Sequence, residues 1–441
     1  MIYVLQVELD SKTIKSIRKS LEKQNSVFSE KKYLGSLFLP SNIIGRKDQA
    51  VQLIRHIESL RQGLVVPVIS VYGRSGSGKS TVVKFVCKNF EDMISFSFVN
   101  LRKSKTLFGC VNSVLAELGS EPLKSAEGLN KAVEKIGLKI KEILSAEKKK
   151  FFVLVLDEYD VIFSDKRGKP SDFMYKLLTL EENLREKDLW LCIITISNNA
   201  LVDYNLDDRV KSRIGSSEVF FSPYGAGDVL AILQDRSVKA FLKKPSDDVL
   251  QYCSKICAEN CGDARRALDL IRLAGELSNG TILLKEDVDK ANDHLQKDRA
   301  STLVSSASYH QRVLLAAICS NLFTSNVGWT ATSSIYEKYK KILIKDQKPL
   351  SYRRVVDLLI EIENSGLVVS RTLSRGRYGY GTEYRLVMSP ELVGPQIDMK
   401  WWSSIEQVKL SQDLREKSLY NFGKYSPYKK LNSLFKKYKD V

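Results

Sequence analysis

VPVISVYGRSGSGKSTVVKFVCKNF, residues Val66–Phe90, is the stretch on which the fold turns. A β-branched apolar run opens it, apolar residues at helical spacing close it, and a glycine-rich octet lies between. Gly73-Arg74-Ser75-Gly76-Ser77-Gly78-Lys79-Ser80 matches G-x-x-x-x-G-K-[ST] in the strand–loop–helix setting that gives the motif its meaning. Glycines let successive backbone N–H groups turn inward onto phosphate oxygens, and the following helix adds the positive end of its dipole. Lys79 is expected to reach the β- and γ-phosphates of a nucleotide, and the Ser80 hydroxyl to ligate magnesium. Gly73, Arg74, Ser75, Gly76, Ser77, Gly78, Lys79, Ser80 and Thr81 are thus the nucleotide-binding candidates.

Outward from this loop, the runs ISFSFVNL, FFVLVLDE and LWLCIITIS read as further buried strands, with helical stretches at Thr106–Leu118 and Leu129–Leu144 between them. Short apolar strands alternating with helices imply a parallel sheet covered on both faces. Before the loop, Val51, Ile54, Ile57 and Leu60 follow helical spacing, and Val249–Leu277 reads as all-helical, as a lid would. The strand FFVLVLDE ends in two acids. Asp157 suits the magnesium side and Glu158 the base that polarises an attacking water; the plain alternative is a pair of surface acids at a strand tip. Asp160 either joins one of these roles or is a solvated or capping acid. Asn198, at the tip of LWLCIITIS, holds the lytic water or senses the γ-phosphate, or else is an ordinary turn residue. In Asp208-Arg209-Val210-Lys211-Ser212-Arg213, an arginine either reaches a neighbouring subunit's γ-phosphate or belongs to a basic loop.

The chain has 441 residues and a formal charge of +17. From Ser301 to Val441 there are 22 Lys and Arg against 12 Asp and Glu, so the last third carries much of that excess. Such asymmetry points to a polyanion partner, or to a solubilising surface. No apolar run approaches the roughly 20 residues needed to span a bilayer, and MIYVLQVELD does not read as a secretory signal. The seven cysteines make no short-chain disulfide framework. Cys253, Cys257 and Cys261, four residues apart, read as small apolar side chains on one helical face, with a metal or cluster site as the alternative. A reducing interior, cytoplasmic and nucleoid-associated, fits. His56, His294 and His310 are isolated and read as structural.

IIGRKDQ, YGRSGSGKST, VLVLDEYDVIF, TISNN, DDRVKSRIGSSEVFFSPY and above all CGDARRALDLIRLAGELS together resemble AAA+ ATPases of the initiator clade. These are archaeal origin-binding ATPases related to the eukaryotic origin recognition complex and its helicase-loading partner. The resemblance runs from about Ile43 to Leu386. It implies an α/β fold: an AAA+ P-loop NTPase core, a parallel sheet flanked by helices, with a helical lid and a C-terminal winged helix. The expected division is an extension at 1–40, the core at 41–222, the lid at 223–299, the winged helix at 300–395 and a basic aromatic tail at 396–441. Position by position, Asn198 resembles the sensor-1 residue, Arg213 the arginine finger with Arg209 as rival, and Arg265 the sensor-2 arginine of the lid. Tyr224 closes a matched motif and joins the nucleotide-binding set. ATP or ADP with Mg2+ and a weak ATPase activity follow from the resemblance.

In the basic third, Ser308–Ala317 resembles the first helix of the winged helix and Tyr336-Glu337-Lys338-Tyr339 lies in the second. Ser351 is a plausible N-cap of the recognition helix, with Val355, Leu358, Leu359 and Ile362 facing a core. Tyr352, Arg353 and Arg354 stand at its N-terminal end, where such helices meet bases or phosphates. A strand–turn–strand wing follows with Arg371, Arg375 and Arg377, cations suited to a narrow minor groove. The tail from Lys417 interleaves seven lysines with Tyr420, Phe422, Tyr425, Tyr428, Phe435 and Tyr438, for DNA contact or for packing. A second DNA surface near Gly119–Asn130 would be only weakly basic. The implied function is ATP-regulated binding of double-stranded DNA at replication origins. The implied partners are the replicative minichromosome-maintenance helicase and other initiator subunits, with no membrane. The alternative is a paralogous DNA-binding regulator that uses nucleotide structurally.

Overall fold

The computed structural model describes residues 10–11, 13–15, 27–36, 38–64, 66–104, 106–165, 168–214, 217–259, 262–278, 280–325, 328–343, 348–374 and 380–422, with the backbone alone at 259, 325, 374 and 412–422. Two compact units, Met1–Ala291 and Asn292–Val441, make up the chain.

The first unit is built on helices α1 (Lys47–Arg61), α2 (Lys79–Lys88), α3 (Leu107–Glu117), α4 (Gly128–Glu147), α5 (Pro170–Arg185) and α6 (Asp208–Ile214). Between them run strands β1 (Val68–Gly73), β2 (Ile94–Asn100), β3 (Phe151–Asp157), β4 (Trp190–Ser197) and β5 (Glu218–Phe221). The strands form one parallel sheet in the order β2-β3-β4-β1-β5. Alternation along β3 shows why the strands read as continuous apolar runs. Phe152, Leu154 and Leu156 pack with α3, α4 and α5, whereas Val153 and Val155 pack with α1 and α2. Full burial of each such side chain contributes about 1.5–3 kcal/mol. One expected face differs. Leu53, Ile57 and Leu60 form the buried stripe of α1, while Ile54 is exposed. The sheet meets the i, i+4, i+7 row that begins at Leu53, and Ile54 lies one position round the helix from it.

Helices α7 (Ala226–Ala240), α8 (Asp247–Glu259) and α9 (Ala264–Leu277) follow β5 as the lid. Cys253 and Cys257 are buried in α8 and behave as small core side chains; Cys261 lies outside the described residues. Residues 27–34 also belong to this packing. Val27, Phe28 and Leu34 are buried, Phe28 bridges Phe241 in antiparallel register, and their rings lie 4.8 Å apart. The helix expected near Lys12–Lys23 falls almost wholly outside the described residues.

Helix α10 (Lys285–Ser306) contains the division between the units. The second unit continues with α11 (Tyr309–Ser325), strand β6 (Thr330–Ala331), α12 (Thr332–Ile342) and α13 (Tyr352–Asn364). Strands β7 (Val368–Ser374) and β8 (Tyr380–Leu386), then α14 (Pro390–Ile397) and α15 (Met399–Phe422), complete it. An antiparallel sheet in the order β6-β8-β7 closes over the helices. Val355, Leu358, Leu359 and Ile362 all lie in its core, and Trp402 of α15 packs on Phe323. This is a winged helix. His310 accepts or donates at Nδ1 to the Tyr339 hydroxyl, 2.8 Å away, a structural contact between α11 and α12.

Candidate nucleotide and DNA sites

Three adjacent strands, β3, β4 and β1, end on the same edge of the sheet and bring the candidate residues together there. The loop after β1 turns into α2 at Gly78, whose φ of 91° only glycine adopts without strain. A Cβ at Gly78 would strike the Tyr224 hydroxyl, and one at Gly76 would strike the Asp263 carboxylate. The loop glycines therefore serve the lid's close approach. Lys79 is buried and folds over the loop, its Nζ donating to the carbonyls of Gly73 (2.6 Å) and Arg74 (2.9 Å). Burial, and next the charge of Arg265, hold Lys79 below the usual lysine range.

At the tip of β3, the Ser80 hydroxyl donates to Asp157 Oδ1 over 3.2 Å. Two hard oxygen donors side by side, one a buried carboxylate, fit a magnesium ion. Burial raises Asp157 above the ordinary carboxylate range, against the Ser80 hydroxyl and the Glu158 N–H that both donate to it. Glu158 sits at φ 55°, a left-handed conformation that costs on the order of 1–3 kcal/mol in a residue with a Cβ. Its carboxylate lies 3.9 Å from the Arg102 guanidinium. Asp160 accepts from Asn198 Nδ2 at 2.8 Å, so this third acid touches the tip of β4 rather than open solvent.

Beside the loop lies a cavity lined by Gly76, Gly78, Ser80 and Thr81, by Ile43 and Ile44 ahead of α1, and by the lid's Ile232, Arg265 and Leu268. Tyr224 lines it too. Asp263 caps α9 by accepting from the N–H groups of Arg265 and Arg266, and the Ala264 N–H donates to the Gly76 carbonyl (3.3 Å). Arg213 is not part of this assembly. It pairs with Glu182 of α5 (3.2 Å) and lies over the Tyr175 ring, which Arg209 also approaches.

On the winged helix, Ser351 caps α13 by accepting from the Arg354 N–H, and Tyr352 and Arg353 are exposed at that end. Arg354 is exposed but shared with two acids, Asp357 (4.0 Å) and Glu361 (3.6 Å). Arg371 is more committed. Its Nε and Nη2 both donate to Glu383 across the β7–β8 pair, and its guanidinium lies 4.5 Å from the Trp329 ring centroid. Arg375 and Arg377 lie outside the described residues, as does the tail beyond Phe422.

Residues 69–218 match the family profile of ATPases associated with various cellular activities, 230–293 the Cdc6 AAA+ ATPase-type lid domain, and 302–394 the CDC6 C-terminal winged helix domain. Over 403 residues the chain is 32% identical to ORC1-type DNA replication protein 1 of Sulfurisphaera tokodaii, spanning 88% of this chain and 97% of that one. The chain belongs to the family of ORC1-type DNA replication proteins. The ORC1-type protein of Thermococcus kodakarensis is 29% identical over 87% of this chain and 94% of its own. The Aeropyrum pernix ORC1 protein, solved in complex with DNA, has the same fold at TM-score 0.66 and 25% identity, covering 86% of this chain and 98% of that one.

In this ORC1-type chain the AAA+ core brings nucleotide binding as a family property. Among the described residues no helix is long and apolar enough to cross a membrane. Sequence reasoning missed three side chains that touch the candidate residues. Arg102, just past β2, meets Glu158 because Asn100 and Asp157 are register partners in the sheet. The Trp329 ring packs against both Arg371 and Arg385, at 4.5 and 5.0 Å from its centroid. Arg46 is buried against the phosphate loop. The signal for Arg46 was present, a charged residue just ahead of an amphipathic helix, but nothing local marks it as buried.

Proposed function

We propose that this ORC1-type protein is an ATP-regulated initiator that binds double-stranded DNA at replication origins and helps to load the minichromosome-maintenance helicase. One observation carries the reading. A single chain of this family couples a phosphate loop faced by a lid arginine to a winged helix whose recognition-helix start offers Tyr352 and Arg353 to solvent. In the nucleotide site Lys79 binds the β- and γ-phosphates, Arg265 reaches them from the lid, and Ser80 with Asp157 would hold magnesium. The ion, when bound, neutralises phosphate charge. Glu158 takes a proton from the attacking water, and Asn198 orients that water or the γ-phosphate. Arg213, engaged with Glu182 and Tyr175 away from its own pocket, acts on the nucleotide of a neighbouring copy. Tyr352, Arg353 and Arg354 contact the major groove, and Arg371, Arg375 and Arg377 the minor groove.

The Arg102–Glu158 pair favours a second reading, because a base held by a guanidinium turns over slowly. On that reading the chain is a paralogous DNA-binding regulator in which nucleotide is a structural ligand. Genome-wide chromatin immunoprecipitation, matched to a map of replication start sites, separates the two. Occupancy at start sites is expected of the initiator. Strong occupancy elsewhere with none at start sites would replace it with the regulator.

A further inference from the structure

Arg46 is a buried guanidinium whose partners, among the described residues, are carbonyl oxygens and ring faces rather than carboxylates. Keeping a charge in the interior costs several kcal/mol unless its contacts are well placed. Here they are divided between the phosphate loop and the link from β5 to the lid. Nε donates to the carbonyl of Ser77 in the phosphate loop over 2.9 Å. Nη2 donates to the carbonyl of Ser222 over 2.5 Å, in the link from β5 to the lid. The guanidinium also stacks on Tyr224, 3.8 Å from the ring centroid, with Phe221 at 5.7 Å.

Tyr224 extends the contact in both directions. Its hydroxyl sits against Gly78, and its N–H donates to the Gly262 carbonyl (3.2 Å) at the start of the turn into α9. Gly262 itself, at φ 64°, has no room for a Cβ against the Tyr224 carbonyl. The same turn places Asp263 and Ala264 on Gly76. One planar cation therefore joins the loop to the link on which the lid turns, beside the direct contact of Ala264 with Gly76. A guanidinium suits this work because its fork holds two carbonyls and a ring face at fixed angles, which a lysine ammonium cannot.

We infer that Arg46 is a positioning residue that couples the phosphate loop to the lid, so that a nucleotide seated on the loop sets the lid's angle. The inference rests on the nucleotide-binding reading of the loop. Lid rotation about Ser222–Gly225 must shift the Ser222 carbonyl and the Tyr224 ring, and with them the guanidinium that holds Ser77. Loop geometry and lid angle then change together or not at all.

The test uses the full chain with Cys261→Ser, Lys88→Cys on α2 and Lys255→Cys on α8, spin-labelled at the two new cysteines. The native cysteines among the described residues are buried and out of reach of the label. ADP with magnesium is the probe, and the inter-label distance distribution is the readout alongside ADP affinity. In the otherwise native chain ADP is expected to shift the distribution. Arg46→Lys is expected to bind ADP about tenfold more weakly and, at saturation, to leave the distribution unmoved. Arg46→Gln, which cannot bridge the two carbonyls, supplies the same comparison if Arg46→Lys does not fold, with the shift again expected to be lost. A full shift in either variant at saturating ADP overturns the proposal. So does a native chain that binds ADP without any shift. A native chain that binds no ADP removes the nucleotide reading first, which is a distinguishable failure.

Discussion

Cations around the phosphate loop and cations on the winged helix are held by opposite chemistry. Lys79 and Arg46 are buried and bonded directly to backbone carbonyls, with no carboxylate in hydrogen-bond contact among the described residues. Arg354 and Arg371 lie near solvent and are engaged by carboxylates, Asp357 and Glu361 in one case and Glu383 in the other. A buried cation acts over short range and in low dielectric, where each contact is strong. An exposed, paired cation is screened and exchanges one partner for another at small net gain. The nucleotide site should therefore respond to single substitutions by orders of magnitude, and the DNA face by increments.

The sharpest break of that contrast is Lys79→Ala. Losing a charge-assisted contact to phosphate removes about 1.5–3 kcal/mol for each hydrogen bond, and the expected outcome is a rise in the ADP dissociation constant of roughly 100-fold or more. Calorimetric titration measures it directly, and stoichiometric ADP retained through purification of the variant would remove Lys79 from the site. Next in size is Glu158→Gln. A positioned general base is worth about 10²- to 10⁴-fold, so turnover should collapse while ATP affinity stays within about threefold. If the native chain turns over no faster than this variant, in the presence of DNA and partner subunits, nucleotide is structural here. Arg102→Ala sharpens the same point, since freeing the Glu158 carboxylate should raise turnover without altering affinity.

On the DNA face two neighbouring residues test the increment. Arg353→Ala should lower the slope of log K against log salt by about one unit, as expected when one phosphate contact is lost. Arg354→Ala should lower it by less, because part of its charge already answers Asp357 and Glu361. Equal losses would mean that DNA pulls Arg354 away from its acids, and the contrast between buried and exposed cations would weaken accordingly.

What the sequence made legible follows the same division. Phosphate-loop residues and the Asp157-Glu158 pair are contiguous in the chain, and their setting between apolar strands gives them away. The core face of α13 was equally plain, because helical spacing alone selects Val355, Leu358, Leu359 and Ile362. The burial of Arg46 was illegible. Its carbonyl partners Ser77 and Ser222 stand 31 and 176 residues further along, and only the fold brings them to it. Arg371 was legible as a wing cation but not as a paired one, since the pairing depends on the β7–β8 register that sets it opposite Glu383. The extension read at residues 1–40 hid Phe28 and Leu34 for a related reason. Isolated apolar residues in a polar stretch reveal their burial only when Phe241 and α7 arrive from far along the chain.

Asp157 gives the smallest expected effect and the one with a sign to work out. Burial raises its folded-state pKa, so the ionised form is the strained one. In the ligand-free chain that strain is present above the raised pKa and is relieved as pH falls through it. Magnesium needs the ionised form, so ion binding runs the other way and weakens as pH falls, starting above the range in which an exposed aspartate titrates. Asp157→Asn separates the two. Without ligand it should melt at or slightly above the native temperature, since the amide oxygen can still accept from Ser80 and Glu158. With ADP it should lose the additional stabilisation that magnesium confers on the native chain. Melting temperatures taken with and without magnesium, from about pH 5 to 8, carry both signs in one experiment. A magnesium-dependent shift that persists unchanged in Asp157→Asn would place the ion on other oxygens, and Ser80 would then have to find a different partner.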